Sequence, residues 1–168
     1  MKLRETLHLP LSARAAAAMY ADGEYTAIRR DTLGAAAASS QVTGDPTGEF
    51  TVTTELSLPT DRVPDVVRPF VGSSVTVKEV QNWSAPDSDG SRSGSMRLDV
   101  VGTPAGLTAA LRLQATDHER SEVEIDGDLV AKVPLLGPRL EKAAVPYVSS
   151  VLRAEERSAA AYRDRQSA

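Results

Sequence analysis

Few side chains in this sequence could carry out chemistry of a recognisable class. The chain contains no cysteine, and its two histidines, His8 and His118, have no carboxylate or second histidine at the spacing of a metal site. The glycine-rich patterns that hold nucleotide phosphates and the G-x-S-x-G turn of serine hydrolases are also absent. We therefore predict no catalytic residue, no metal and no cofactor.

Two carboxylates interrupt apolar patterns and are the candidate polar residues of a cavity. Glu5 shares the face of the first predicted strand with three leucines, and Glu79 shares a strand face with Val77 and Trp83. A buried carboxylate has a raised pKa and could act as an acid or base, or anchor a polar ligand head. The alternative, which we favour, is that neither carboxylate is buried without a partner. Each carboxylate either stays in water, because its strand is at an edge or starts late, or it pairs with an arginine.

Two helices follow the first predicted strand. Alternation of apolar and polar side chains at the N-terminus indicates a half-buried strand. Ser12 and Asp22 are typical N-cap residues, and Gly34 is a typical helix stop. The predicted elements are a strand over residues 2–9 and helices over residues 13–21 and 23–31.

Six further strands precede a change in the hydrophobic period. Alternating segments separated by turn signals, such as those at 44–48 and 102–106, predict an antiparallel meander. The predicted strands cover residues 35–43, 50–58, 75–83, 96–101, 107–114 and 123–133, with a short amphipathic segment over 61–71. The alanine run in the first of these six strands would equally suit a helix.

The C-terminal part of the chain has a period of 3.6 residues. Apolar side chains form one stripe from Leu136 to Leu152, which predicts a long helix. Pro146 lies inside this helix and should bend it. Beyond Arg153 the sequence is charged and rich in alanine, so we expect the last ~12 residues to extend into solvent as a charged helical tail.

These elements predict a single α+β domain over residues 1–168. A curved seven-stranded antiparallel sheet wrapped around the long C-terminal helix, with two short helices after strand 1, satisfies all the apolar faces. This order resembles the helix-grip fold of the START-like superfamily (SRPBCC), which includes polyketide cyclases and Bet v 1-like proteins. Locally, the segment GDLVAKVPLLGPRLE over residues 127–141 is similar to the strand-to-helix junction of DUF2505, an uncharacterised actinobacterial family.

The resemblance implies a cavity between sheet and helix that often holds an apolar ligand, and it carries over no catalytic residue. Aromatic side chains offer a large contact area, and those of tryptophan and tyrosine also carry a polar group. Tyr147 is the strongest candidate because a buried hydroxyl needs a hydrogen-bond partner. Ordinary core packing is the alternative for each residue. The candidate lining residues are Phe50, Val52, Phe70, Val77, Trp83, Leu98, Leu111, Tyr147 and Val151, with Glu5 and Glu79 as candidate polar residues.

Composition limits the partners and the compartment. A net charge of -4 gives no electrostatic reason to expect binding to nucleic acid or to an anionic membrane. No apolar stretch is long enough for stable membrane insertion. Glu5, Pro10 and Arg14 interrupt the only segment that resembles a signal peptide, so we expect a cytoplasmic protein.

The leading hypothesis is a non-catalytic binding protein for a small hydrophobic or amphipathic molecule. One alternative is a cyclase- or dehydratase-like enzyme that uses acid residues of the cavity. Another is a protein-interaction module without a ligand, which would use exposed apolar residues of the outer sheet face such as Val80, Val101 and Val130.

Overall fold

A computed structural model describes residues 1–168, and its elements follow the predicted order. The first strand and the two short helices cover Lys2–Leu9 (β1), Ala13–Tyr20 (α1) and Gly23–Leu33 (α2). The remaining elements are β2 (Ala37–Gly44), β3 (Phe50–Pro59), a 3-10 turn (Arg68–Phe70), β4 (Ser74–Trp83), β5 (Arg92–Val100), β6 (Ala105–Ala115), β7 (Ser121–Ala131) and α3 (Gly137–Ser167). The alanine-rich segment is therefore a strand.

The seven strands form one curved antiparallel sheet in the order β1-β7-β6-β5-β4-β3-β2. Helices α1 and α2 carry the chain from one edge strand, β1, to the other, β2. Alternate side chains of each central strand are buried on the concave face, as in β4, where Val75, Val77, Glu79, Gln81 and Trp83 are all buried. This arrangement confirms the predicted α+β helix-grip fold.

Local signals in the sequence set the ends of the short helices. The Ser12 hydroxyl accepts a hydrogen bond from the Ala15 amide at 3.1 Å, and the Asp22 carboxylate accepts one from the Glu24 amide at 2.9 Å. Gly34 has φ 63°, a left-handed conformation that glycine adopts without strain. The three predicted capping residues are confirmed.

The long helix α3 is continuous through Pro146 and packs at both of its ends. Its first half faces the sheet across an apolar space, and its second half contacts α2 through Glu155 and β1 through Glu156. The expectation that the chain beyond Arg153 extends into solvent is wrong up to Tyr162, because Ala154, Glu155, Ser158, Ala159 and Tyr162 are buried. Small side chains let this part of the helix approach its neighbours closely, and a face of small side chains is not recognisable as a hydrophobic stripe in the sequence.

None of the helices combines the length and the apolar character needed to cross a bilayer.

Candidate functional site

An apolar cavity lies between the concave face of the sheet and the first half of α3. Its volume is about 260 Å³, and 21 of its 28 lining residues are hydrophobic. Strands β3, β4, β5 and β7 contribute walls such as Leu56, Val77 and Leu98, and α3 contributes the opposite wall from Leu140 to Leu152. The cavity exists because the alternating strands present aliphatic side chains that do not reach across to the helix.

Three connections surround the mouth of the cavity. They are the β3–β4 loop over residues 60–73, the β5–β6 turn over residues 101–104 and the β7–α3 segment over residues 132–136. In an antiparallel sheet these three strand ends meet at the same end of the sheet. Phe70, Thr103 and Val133 are lining residues supplied by these connections.

A buried ion pair forms the inner end of the cavity. Two guanidinium nitrogens of Arg29, from α2, donate to the two carboxylate oxygens of Glu79, from β4, at 3.0 and 3.3 Å. Arg29 is 5% exposed and Glu79 is 3% exposed. Burial alone would lower the pKa of Arg29, but the adjacent Glu79 carboxylate raises the pKa above its usual value, so the guanidinium stays charged. The third charged lining residue, Glu141, lies 3.5 Å from the N-terminal amine.

A chain of hydrogen bonds extends from this ion pair along β4. The Gln81 side-chain amide donates to Glu79 Oε1 at 3.2 Å, and the Trp83 indole N–H donates to Gln81 Oε1 at 3.1 Å. These three residues alternate on one strand, so their side chains point to the same face. The buried polar groups therefore satisfy one another, as a low-dielectric interior requires.

Glu155 is a second buried carboxylate, behind the ion pair. It is 5% exposed, and its Oε1 accepts a hydrogen bond from the Tyr25 hydroxyl at 3.3 Å. Desolvation by burial is the main cause that raises the pKa of Glu155 to about 7; the charge of Glu79 adds to this, whereas the charge of Arg29 and the Tyr25 hydrogen bond lower it. This group can exchange a proton near neutral pH, although it does not line the cavity.

Aromatic side chains fill the other half of the concave side. Tyr20 stacks on Trp83 with ring centroids 5.5 Å apart, and it meets the Tyr25 ring edge-on at 5.7 Å. Tyr162, from the end of α3, contacts Tyr25 edge-on at 6.3 Å. The structure is therefore divided at the level of Glu79 into a hollow half near the mouth and a packed half beyond.

The candidate lining residues fall on both sides of this division. Those that line the cavity are Phe70, Val77, Leu98, Tyr147 and Val151, together with the candidate polar residue Glu79. Those that are buried in the packed core, outside the cavity, are Phe50, Val52, Trp83 and Leu111. The alternation of side chains along a strand shows which residues lie on the concave face. It does not show which part of that face the helices fill.

The remaining candidate, Glu5, also lies outside the cavity. Its carboxylate is 3.6 Å from the Arg153 guanidinium, and its side chain is 13% exposed. Both interrupting carboxylates are therefore paired with an arginine, but only Glu79 also reaches the cavity.

Burial raises the pKa of the Tyr147 hydroxyl, which belongs to a lining residue, and the charge of Asp61 raises this pKa further.

Sequence reasoning missed three residues of the buried network: Arg29, Gln81 and Glu155. A usable signal exists for each. Gln81 has the strand parity of Glu79, and Arg29 follows Tyr25 by four positions, on the inward face of α2. Glu155 follows Leu152 by three positions and precedes Tyr162 by seven, so the three residues share one helix face.

Comparisons with known proteins place the chain in a family. The family described as Protein of unknown function (DUF2505) matches residues 4–162. A search of curated proteins finds no match.

Solved structures with the same fold extend the comparison. Zhui aromatase/cyclase from Streptomyces sp. R1128 is 14% identical with a TM-score of 0.60, over 100% of this chain and 96% of that one. A START superfamily protein from Mycobacterium smegmatis is 13% identical with a TM-score of 0.55, over 92% and 94%. Norcoclaurine synthase from Thalictrum flavum, in complex with dopamine and hydroxybenzaldehyde, is 12% identical with a TM-score of 0.52, over 98% and 87%. At these identities the likeness shows the fold alone. The chain therefore belongs to the DUF2505 family, with the helix-grip fold of the START-like superfamily.

Proposed function

We propose that this protein binds a small hydrophobic or amphipathic molecule in the cavity between the sheet and α3. The observation that carries the proposal is an apolar cavity that opens at one end and meets a single buried ion pair, Arg29–Glu79, at the other. Protein interiors are otherwise packed to the density of organic crystals, so an apolar space of this volume is suited to a guest. The proteins of similar fold include one bound to dopamine and hydroxybenzaldehyde, which makes a small-molecule guest a reasonable expectation for this chain.

The chemistry of the lining limits the class of guest. Aliphatic walls favour an acyl or alkyl body, because each buried methylene contributes about 0.8 kcal/mol and no lining ring other than those of Phe70 and Tyr147 is available for stacking. The Arg29–Glu79 pair is neutral overall, so a hydroxyl or carbonyl head suits this end better than a charged head. We therefore favour uncharged amphipathic ligands.

A series of primary alcohols tests this function. We expect affinity to rise about fourfold for each added methylene until the chain fills the cavity, as measured by displacement of a fluorescent apolar probe. Ala144→Phe, on the cavity wall, should fill the space and abolish binding, whereas Ser150→Phe, on the exposed side of α3, should leave it unchanged. Thermal unfolding of both variants checks that they fold. No binding by the wild-type protein, or equal binding by Ala144→Phe, would contradict the proposal.

The position of Glu79 supports a second candidate, acid–base chemistry on the bound molecule. Its carboxylate is on the cavity wall, and Glu155, with a pKa of about 7, lies in the same buried network. A cyclase- or dehydratase-like reaction would release water from the guest. Mass spectrometry of a bound hydroxyketone before and after incubation distinguishes the two functions: loss of water, abolished in Glu79→Gln, supports an enzyme, and an unchanged mass supports a carrier.

A further inference from the structure

The exposed apolar side chains of this protein are concentrated around the mouth of the cavity. Seven large hydrophobic residues are exposed, and all except Val42 lie at the end of the sheet where the cavity opens. We call five of them the apolar rim: Phe70, Val101, Val130, Leu135 and Leu136. Val80, in the middle of the outer face, is only half-buried and lies between Thr53 and Arg97 on the neighbouring strands. The exposed apolar surface is thus at the mouth and not spread over the outer sheet face.

Leu135 is the most prominent residue of the apolar rim. Its side chain is fully exposed (101%), and its backbone has φ 66°, a conformation that non-glycine residues rarely adopt. The amides of Leu136 and Gly137 donate to the Val133 carbonyl at 3.2 and 2.9 Å, so a closed turn holds Leu135 at its apex. The fold therefore maintains a strained conformation that presents a leucine to solvent, and no packing within the chain accounts for it.

Basic side chains accompany the apolar rim. The segments 60–73 and 130–142 contain five basic and three acidic residues, although the whole chain has a net charge of -4. Lys132, Arg139 and Lys142 are exposed and form no ion pair, whereas Glu141 is paired with the N-terminal amine. Positive charge beside exposed apolar side chains is complementary to the surface of a bilayer that contains anionic lipids. Net charge alone does not reveal this local excess.

We propose that the apolar rim docks reversibly onto the surface of an anionic lipid bilayer. The side chains of Leu135, Leu136 and Phe70 enter the interface between head groups and acyl chains, and the three free basic side chains meet the phosphates. The mouth of the cavity then faces the bilayer, so an apolar guest passes between membrane and cavity without crossing water. That last step rests on the proposed ligand-binding function, but docking does not.

Vesicle flotation tests the proposal with two kinds of lipid. We expect wild-type protein to bind mixed phosphatidylcholine–phosphatidylglycerol vesicles and to bind neutral phosphatidylcholine vesicles more weakly. The variant Leu135→Asn/Val101→Ser should bind the mixed vesicles about tenfold more weakly. Neither residue lines the cavity, and asparagine tolerates a positive φ, so alcohol binding and thermal stability should stay unchanged. Val42→Ser, an exposed apolar residue away from the mouth, is the matched control and should bind like wild type.

Charge is tested separately from hydrophobic contact. Lys132→Gln/Lys142→Gln should weaken binding to the mixed vesicles and leave binding to neutral vesicles unchanged, and added salt should have the same effect on wild type.

Three results would overturn docking: no binding of wild type to either vesicle, equal binding by Leu135→Asn/Val101→Ser, or a concentration-dependent dimer in the absence of lipid that this variant abolishes. The last result would assign the apolar rim to self-association. Intact vesicle binding without alcohol binding would instead overturn the proposed ligand function.

Discussion

At the scale of single residues, charged side chains on apolar faces carry most of the functional information. Glu79 and Arg29 neutralise each other in the interior, where an unpaired charge would be costly, and the pair supplies the polar groups at the inner end of the cavity. Glu155 forms no ion pair, and desolvation by burial is the main cause that raises its pKa to about 7. The interior thus contains one carboxylate that is paired with an arginine and one carboxylate whose pKa is raised to about 7.

Glu155 should make the stability of the protein decrease as pH rises. Its pKa is about 7 in the folded protein against 4.5 in the unfolded chain, so the stabilising contribution is fully present below pH 4.5 and is lost as pH approaches 7. We expect the free energy of unfolding of wild type to fall by roughly 2–3 kcal/mol across this range relative to Glu155→Gln. Urea denaturation at several pH values measures the difference.

Glu119→Gln is the control for this measurement, because Glu119 is exposed in the β6–β7 turn. Its stability curve should follow that of wild type at every pH. Parallel curves for wild type and Glu155→Gln would show that Glu155 is already ionised in the folded protein.

At the scale of elements, the two ends of α3 have different tasks. The first half forms a cavity wall, and the second half closes the core through small side chains and Tyr162. The Tyr162 hydroxyl donates to the Asp22 carboxylate at 2.7 Å, and the same carboxylate caps α2. One aspartate thus joins the start of α2 to the end of α3.

Substitutions at this junction should be coupled. Tyr162→Phe should lower the free energy of unfolding by about 1 kcal/mol because it removes one hydrogen bond, and Asp22→Ala should lower it by about 2 kcal/mol because the helix cap is lost as well. The double variant should be no less stable than Asp22→Ala. Chemical denaturation checks this cycle, with Asp164→Ala at the exposed end of α3 as the control. Additive losses would contradict a shared hydrogen bond.

At the scale of the whole molecule, the division into a hollow half and a packed half predicts where the protein is least stable. Segments next to the cavity bury fewer side-chain contacts and should open more easily than the aromatic half. In hydrogen–deuterium exchange, residues 60–73 and 137–151 should exchange faster than residues 152–162, and 1-octanol should slow exchange in the first two segments only. Equal protection of both halves by the alcohol would contradict the assigned ligand position.

The order of the elements follows from local patterns alone. The period-two alternation in the strands, the caps at Ser12 and Asp22 and the 3.6-residue stripe of α3 are short-range properties, because each reports how one segment divides its own side chains between core and water. Together they determine the helix-grip fold. Glu79, a carboxylate on an otherwise apolar strand face, also indicates one residue of the cavity wall from the sequence alone.

Tertiary structure decided the features that depend on residues distant in sequence. The position of α2 against α3, β2 and β3 brings Arg29 to Glu79 across 50 positions. The aromatic rings of α1 and α2 determine which part of the concave face is filled. The end of α3 is buried because its alanine and serine side chains are small and let the helix approach its neighbours closely. Hydrophobicity does not measure this property. The basic and apolar character of the mouth arises where three separated connections meet, so no single stretch of the sequence contains it.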